Sequence, residues 1–169
     1  QYPYYPGSGS VHEVGRGAGE GFTVNVPLPG GLGDEDYAAI CNDIIVPVGR
    51  DYQPQLILVS AGFDIYHGDP LGSMTVSPTG FAYLTRAIQA LADQVCGGRL
   101  LVTLEGGYNL AGQRDGCLAV LSELLGDALN DGDARHYLEP ETFARLQESH
   151  RTHEAIESAW FVAKNYWNM

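Results

Sequence analysis

Two short segments carry side chains that could act on a ligand. Ser60-Ala61-Gly62-Phe63-Asp64 ends in a carboxylate, and Leu104-Glu105-Gly106-Gly107-Tyr108 ends in a phenol. A carboxylate accepts hydrogen bonds or ligates a cation, and a phenol donates or accepts a hydrogen bond. Each segment grows out of a short apolar run, residues 56–60 (LILVS) and 100–104 (LLVTL), which reads as a strand covered on both faces in a parallel sheet. In an open parallel sheet, ligands bind beyond the carboxyl ends of the strands. The glycines let the chain turn tightly there and let a ligand come close. Asp64 taken alone also suits a helix or turn cap, and Tyr108 an amphipathic residue packed over the sheet edge. Both at neighbouring strand ends point to a site.

The elements that must position these groups follow from periodicity. Residues 1–21 hold six of the 22 glycines and read as a long structured loop. Residues 22–28 alternate apolar and polar (Phe22, Val24, Val26, Leu28), which predicts a strand. Asp34 can cap a helix with Tyr37, Ile40, Cys41, Ile44 and Val48 on its apolar face, and Pro47 should kink or end it. Ser77-Pro78 opens a helix lined by Phe81, Leu84, Ile88, Leu91 and Val95 and stopped at Gly97. A further helix is predicted over 111–125, a polar connection over 126–139, and one last helix over 142–167. Strand–helix–strand–helix order implies a doubly wound α/β layer with right-handed crossovers.

Composition narrows the function classes. Nine basic against 21 acidic residues give a formal net charge of −12, which argues against binding a phosphate backbone. An acidic surface could attract cationic partners, but solubility alone accounts for it. With 44% hydrophobic and 18% charged residues the chain reads as globular. No run approaches the ~18 apolar residues of a membrane span, and the amino terminus lacks signal-peptide character. Cys41, Cys96 and Cys117 form no CxxC pair and read as free thiols in a reducing cytoplasm. His150 and His153, three apart on the expected last helix, could pair on a metal or simply face solvent; His12 and His136 carry no signal. Gln1 opens directly on a Pro/Gly/Tyr turn, which reads as the start of a fragment.

Four collinear stretches make a resemblance specific. SAGFD followed by GDPLG, then LEGGYNL, the opening YPGSG, and GFTVNVPLP resemble signatures of the histone deacetylases and their bacterial relatives, acetylpolyamine deacetylases included. They stand in the family's order, the resemblance covers essentially residues 2–125, and Glu105 is closer to the class II and bacterial type. The resemblance implies a three-layer, doubly wound, mostly parallel α/β sheet of arginase/deacetylase type, of which this chain is the C-terminal half. It places the motif-bearing core at 1–126 and a helical extension at 140–167. It also implies zinc-dependent hydrolysis of N-acetyl amides, on an acetyl-lysine protein or an acetylated small molecule. By residue-wise match, Asp64 would ligate zinc, and Tyr108 would donate a hydrogen bond to the acetyl oxygen as it becomes an oxyanion. Tyr5 would be an aromatic tunnel wall, Leu71 an apolar tunnel residue, and Gly107 would permit close approach at the tunnel floor. Asp69 reads as a turn residue, and His67 is offset from any ligand position.

The family's mechanism also needs an aspartate–x–histidine motif and a histidine pair, and the chain has neither. Alone it therefore lacks two zinc ligands and the acid–base pair, and is expected to be inactive until the N-terminal half is supplied; otherwise it should self-associate. The alternative is a non-catalytic, truncated deacetylase-like binding module. An arginase-like two-manganese hydrolase would need several aspartates at the strand ends, where only Asp64 stands.

Overall fold

The computed structural model describes Tyr4, residues 6–126 and residues 137–169. Two parallel strands, β1 (Ile57–Ala61) and β2 (Leu100–Leu104), pair in register from Ile57 opposite Leu100 to Ala61 opposite Leu104. Parallel strands need a crossover. It is supplied by the helix at Pro78–Cys96, here α3 after α1 (Asp34–Ile40) and α2 (Val46–Tyr52). Three more helices follow: α4 (Leu110–Leu125), α5 (Pro140–Gln147) and α6 (Glu154–Ala163). The α/β parallel architecture is the one the periodicity implied.

Helix α3 begins and ends where its sequence says. The Ser77 hydroxyl accepts from the Thr79 N–H at 3.2 Å, Pro78 takes the first turn, and Gly97 closes in the left-handed region at φ 60°. Its buried face, with Phe81, Ala82 and Tyr83, joins Phe63, Val76, Ala119 and Leu146 in one apolar core. A second core gathers Leu28, Leu32, Ile40, Ile44, Met74 and Ile156.

Four expectations are corrected. Residues 22–28 form no strand. Val24, Val26 and Leu28 do turn inward onto the second core, but an apolar groove lined by Val24, Val26, Ile57 and Ile88 separates them from β1. Alternation fixes a face, whereas a strand also needs a partner ladder. Asp34 does not cap its own helix: Asp36 accepts from the Gly33 N–H at 3.0 Å, while Asp34 accepts from the Ser77 N–H and hydroxyl at 2.8 and 2.6 Å. Nor does Pro47 end the helix. A π turn at Cys41–Ile45 joins α1 to α2, which runs on to Tyr52. The wider turn just ahead of the proline gives room where its ring and missing N–H would disrupt an α-helical ladder.

The last helix is two helices. Eight consecutive polar residues, Gln147 to Glu154, interrupt the apolar stripe, and the chain leaves the helix there. Residues of the π turn hold this break. The Asn42 amide donates to the carbonyls of Leu146, Gln147 and Ser149 at 3.0, 3.3 and 2.9 Å, and accepts from the Tyr83 hydroxyl at 2.6 Å. Asp43 accepts from the Arg151 N–H at 2.7 Å and meets His150 Nδ1 at 2.9 Å.

The strands are covered on one face only within the described residues. Ile57, Val59 and Ala61 turn inward, while Leu58 and Leu101 are 66% and 56% exposed on the other face. No helix among the described residues is long and apolar enough to cross a membrane.

Candidate active site

Strand pairing continues past the strand ends and brings the two candidate loops together. The Glu105 N–H donates to the Ala61 carbonyl at 3.0 Å, and the Phe63 N–H donates to the Gly106 carbonyl at 2.9 Å. Glycines permit this approach. At Gly107, φ is +123° and a Cβ would lie 2.8 Å from the Phe63 Cβ, so a side chain would both strain the backbone and force the loops apart. On the far side, Asn109 caps α4, its Oδ1 accepting from the Gly112 N–H at 2.9 Å.

Asp64 and Tyr108 line the same cleft, together with Tyr4, Ile65, Leu71, Gly72 and Met74. The cleft encloses ≈ 400 Å³, room for a small ligand. No hydrogen bond reaches the Asp64 carboxylate within the described residues. Its oxygens lie against two bare backbones: a Cβ at Gly62 would come 2.9 Å from Oδ1, and one at Gly106 would come 2.6 Å from Oδ2. An acceptor pair without internal partners suits a cation or a donor arriving from outside. Behind the site, burial first and then the charges of Asp64 and Asp36 push the Tyr37 phenol well above its ordinary range, so it stays protonated. The Tyr108 ring is 58% exposed.

Of the other expected residues, Leu71 is in the cleft wall, 53% exposed, whereas Gly107 is buried next to Tyr108 in the chain and is not among the residues that line the cleft. Tyr5 lies outside the described residues, as does His136. Tyr4, which the sequence reading did not single out, lines the cleft, its hydroxyl donating to the Leu71 carbonyl at 3.2 Å. The clustering of tyrosines near the start was the available signal. His67 lies beside the ring of Tyr66, centroids 4.1 Å apart, and does not line the cleft. The expected helical pair of His150 and His153 is dissolved, because His150 sits in the α5–α6 connection while His153 caps α6 by accepting from the Ala155 N–H at 3.1 Å.

Asp69 is the residue whose reach the sequence understated. It is a turn residue, accepting from the N–H groups of Leu71 and Gly72 at 2.9 Å each. It also accepts from the N–H groups of Tyr108 and Asn109 at 2.7 and 3.2 Å. Burial by itself would raise its pKa, but the four backbone donors outweigh this and hold the carboxyl below its usual range.

The residues in hand supply one metal donor in the cleft, Asp64. Among the described residues no group of three or more His, Cys, Asp or Glu side chains could hold a metal ion, so both a complete zinc site and a two-metal cluster require donors from elsewhere.

Residues 1–124 match the histone deacetylase domain. A probable deacetylase of Archaeoglobus fulgidus is 39% identical over 171 residues, 99% of this chain and 47% of that protein. Histone deacetylase 15 of Arabidopsis thaliana is 45% identical over 125 residues, 73% of this chain and 22% of that protein. The solved HDA15 HD domain superposes with a TM-score of 0.76 at 32% identity, covering 98% of this chain and 41% of that one. The chain thus spans less than half the length of each of these relatives.

Proposed function

The chain belongs to the histone deacetylase family, and from that premise we propose that it supplies part of the cleft of a zinc-dependent deacetylase acting on N-acetyl amides. The observation that carries this reading is the convergence of Asp64 and Tyr108 on one cleft from the ends of two paired strands. Asp64 would hold zinc together with donors from the remainder of the domain. When bound, that ion would polarise the acetyl carbonyl and make a water nucleophilic near neutral pH.

The chain's own residues do the rest of their share by position. Tyr108 would donate a hydrogen bond from its phenol to the carbonyl oxygen as negative charge builds there. Such a donor is worth about 3 kcal/mol in the transition state. Leu71 and Tyr4 present apolar surface at the rim, where the aliphatic stem of an acetyl-lysine side chain or an acetylated small molecule would pack. Proton transfer falls to groups outside this chain. Cys41, Cys96 and Cys117 are free, which suits a reducing compartment such as the cytoplasm.

In the complete enzyme, Tyr108→Phe should lower kcat on an acetyl-lysine reporter roughly 10²- to 10³-fold with little change in KM. Equal effects on both constants would refute the oxyanion role. Asp64→Ala should abolish stoichiometric zinc binding, and retained zinc would refute the ligand role. The second reading, a truncated binding module without catalysis, is favoured by the lack of a three-donor group among the described residues. Mixing the chain with the remainder of a family domain discriminates the two, since a binding module would gain neither zinc nor turnover.

A further inference from the structure

Leu71, Gly72 and Tyr108, from two of the loops that line the cleft, hang from one carboxylate. Asp69 is only 7% exposed, and each of its oxygens serves a different loop. Oδ1 takes the Leu71 and Gly72 N–H groups, and Oδ2 takes those of Tyr108 and Asn109. Asp69 does not itself line the cleft, and the chemistry proposed above makes no use of it. We infer that Asp69 is a positioning residue that holds the Tyr108 phenol and the Leu71 side chain opposite one another across the cleft. This rests on the oxyanion role proposed for Tyr108.

The Tyr108 ring is more than half exposed, so packing alone does not fix it. Its direction is set by the backbone at 107–109, and that stretch starts at a glycine with φ +123°. The short bond from the Tyr108 N–H to Asp69 is therefore the main restraint, charge-assisted and screened from water. A second tie joins the same two loops, the Asn109 side-chain amide donating to the Gly68 carbonyl at 2.8 Å.

Asparagine at position 69 makes the role testable, because it has one carbonyl oxygen and one amide nitrogen. Whichever loop faced the nitrogen would meet donor against donor and let go. The experiment is a double-mutant cycle in the complete enzyme, using Asp69→Asn, Tyr108→Phe and both together. Each protein is assayed for kcat and KM on an acetyl-lysine peptide, with zinc content and thermal melting as checks on folding. Tyr108→Phe should lower kcat roughly 10²- to 10³-fold. Asp69→Asn should lower it on the order of 10- to 10²-fold, the effect of misplacing a catalytic group by about 1 Å.

The double variant should be no slower than Tyr108→Phe alone, since misplacing an absent hydroxyl loses nothing more. Effects that multiply would overturn the inference, because Asp69 would then act through something other than the phenol. An unchanged kcat in folded Asp69→Asn would overturn it too. Undiminished kcat in Tyr108→Phe would sink the oxyanion role itself and this inference with it, and that single variant tells the two failures apart. If Asp69→Asn does not hold its fold, Asp69→Glu, whose extra methylene pushes both oxygens about a bond length out of place, goes through the same cycle under the same criteria.

Discussion

Replacing Gly106 by alanine tests whether the Asp64 carboxylate is held for a metal. The added methyl carbon would lie 2.6 Å from Oδ2 and 3.1 Å from Cγ of Asp64. Ordinary contact begins at 3.4 Å, so the carboxylate oxygen must retreat by roughly 0.8 Å. Metal–ligand distances tolerate only about 0.2 Å. Gly106 lies outside the left-handed region, so alanine adds no backbone strain of its own. At Gly107 strain would confound the result. Perturbing the support of a metal ligand costs about 10- to 100-fold in affinity, and that loss is expected here. The assay is competition of the complete enzyme for zinc against a chelating indicator, alongside turnover at limiting and excess zinc. Turnover should fall at limiting zinc and partly recover with excess, while the melting temperature of the metal-free protein barely moves. A folded Gly106→Ala enzyme that binds zinc as tightly as its parent would refute the reasoning.

Three other expectations follow from the same contacts. Asp69 has a depressed folded pKa, so its stabilisation is complete above the unfolded carboxylate value of about 3.9 and disappears as pH falls through the lower folded value. Urea melts should therefore show Asp69→Asn less stable than the parent at pH 7, with the gap closing in acid; a gap constant with pH would contradict this. Asn42→Ala removes three bonds to the α5–α6 connection and leaves the Tyr83 hydroxyl without its acceptor, at a cost of roughly 1–3 kcal/mol. Hydrogen exchange should accelerate around residues 146–153 first, and uniform acceleration would count against a local clamp. Finally, Leu58, Leu101 and Leu104 are 66%, 56% and 59% exposed, so the 169-residue polypeptide alone should self-associate in sedimentation, and Leu101→Glu should weaken that association. A stable monomer would refute the expectation.

What the sequence made legible was what short-range chemistry decides. Ser77, Pro78 and Gly97 bound α3 because capping and φ preferences act within a few residues. The two strands and the loops bearing Asp64 and Tyr108 were legible for the same reason, since an apolar run followed by glycines is a local signal. Several of the failures involve partners distant in sequence. The break between α5 and α6 is held by Asn42 and Asp43, about a hundred positions earlier. Residues 22–28 have the face of a strand but no neighbouring ladder. The dual reach of Asp69 depends on a loop 39 positions on, which no pattern around residue 69 discloses. An apolar run reports what a strand would bury and not which layer covers it, and within the described residues only one face of the two strands finds a helix layer.

The meeting of Asp64 and Tyr108 is a consequence of register. Ala61 stands opposite Leu104, and the Glu105-to-Ala61 and Phe63-to-Gly106 bonds carry the pairing beyond the strands. Asp64 follows three residues after Ala61, and Tyr108 four residues after Leu104. Because side chains alternate along a strand, slipping the pairing by one residue would move β2's side chains to the opposite face and uncouple the two groups. Glycine at 107 keeps the loops close where a side chain would wedge them apart, and glycine at 62 and 106 leaves room for the Asp64 carboxylate. Placement of the carboxylate and phenol is thus a property of the backbone before it is one of the side chains. Substitutions at these glycines, which contribute no functional group, should for that reason mimic loss of the groups they position.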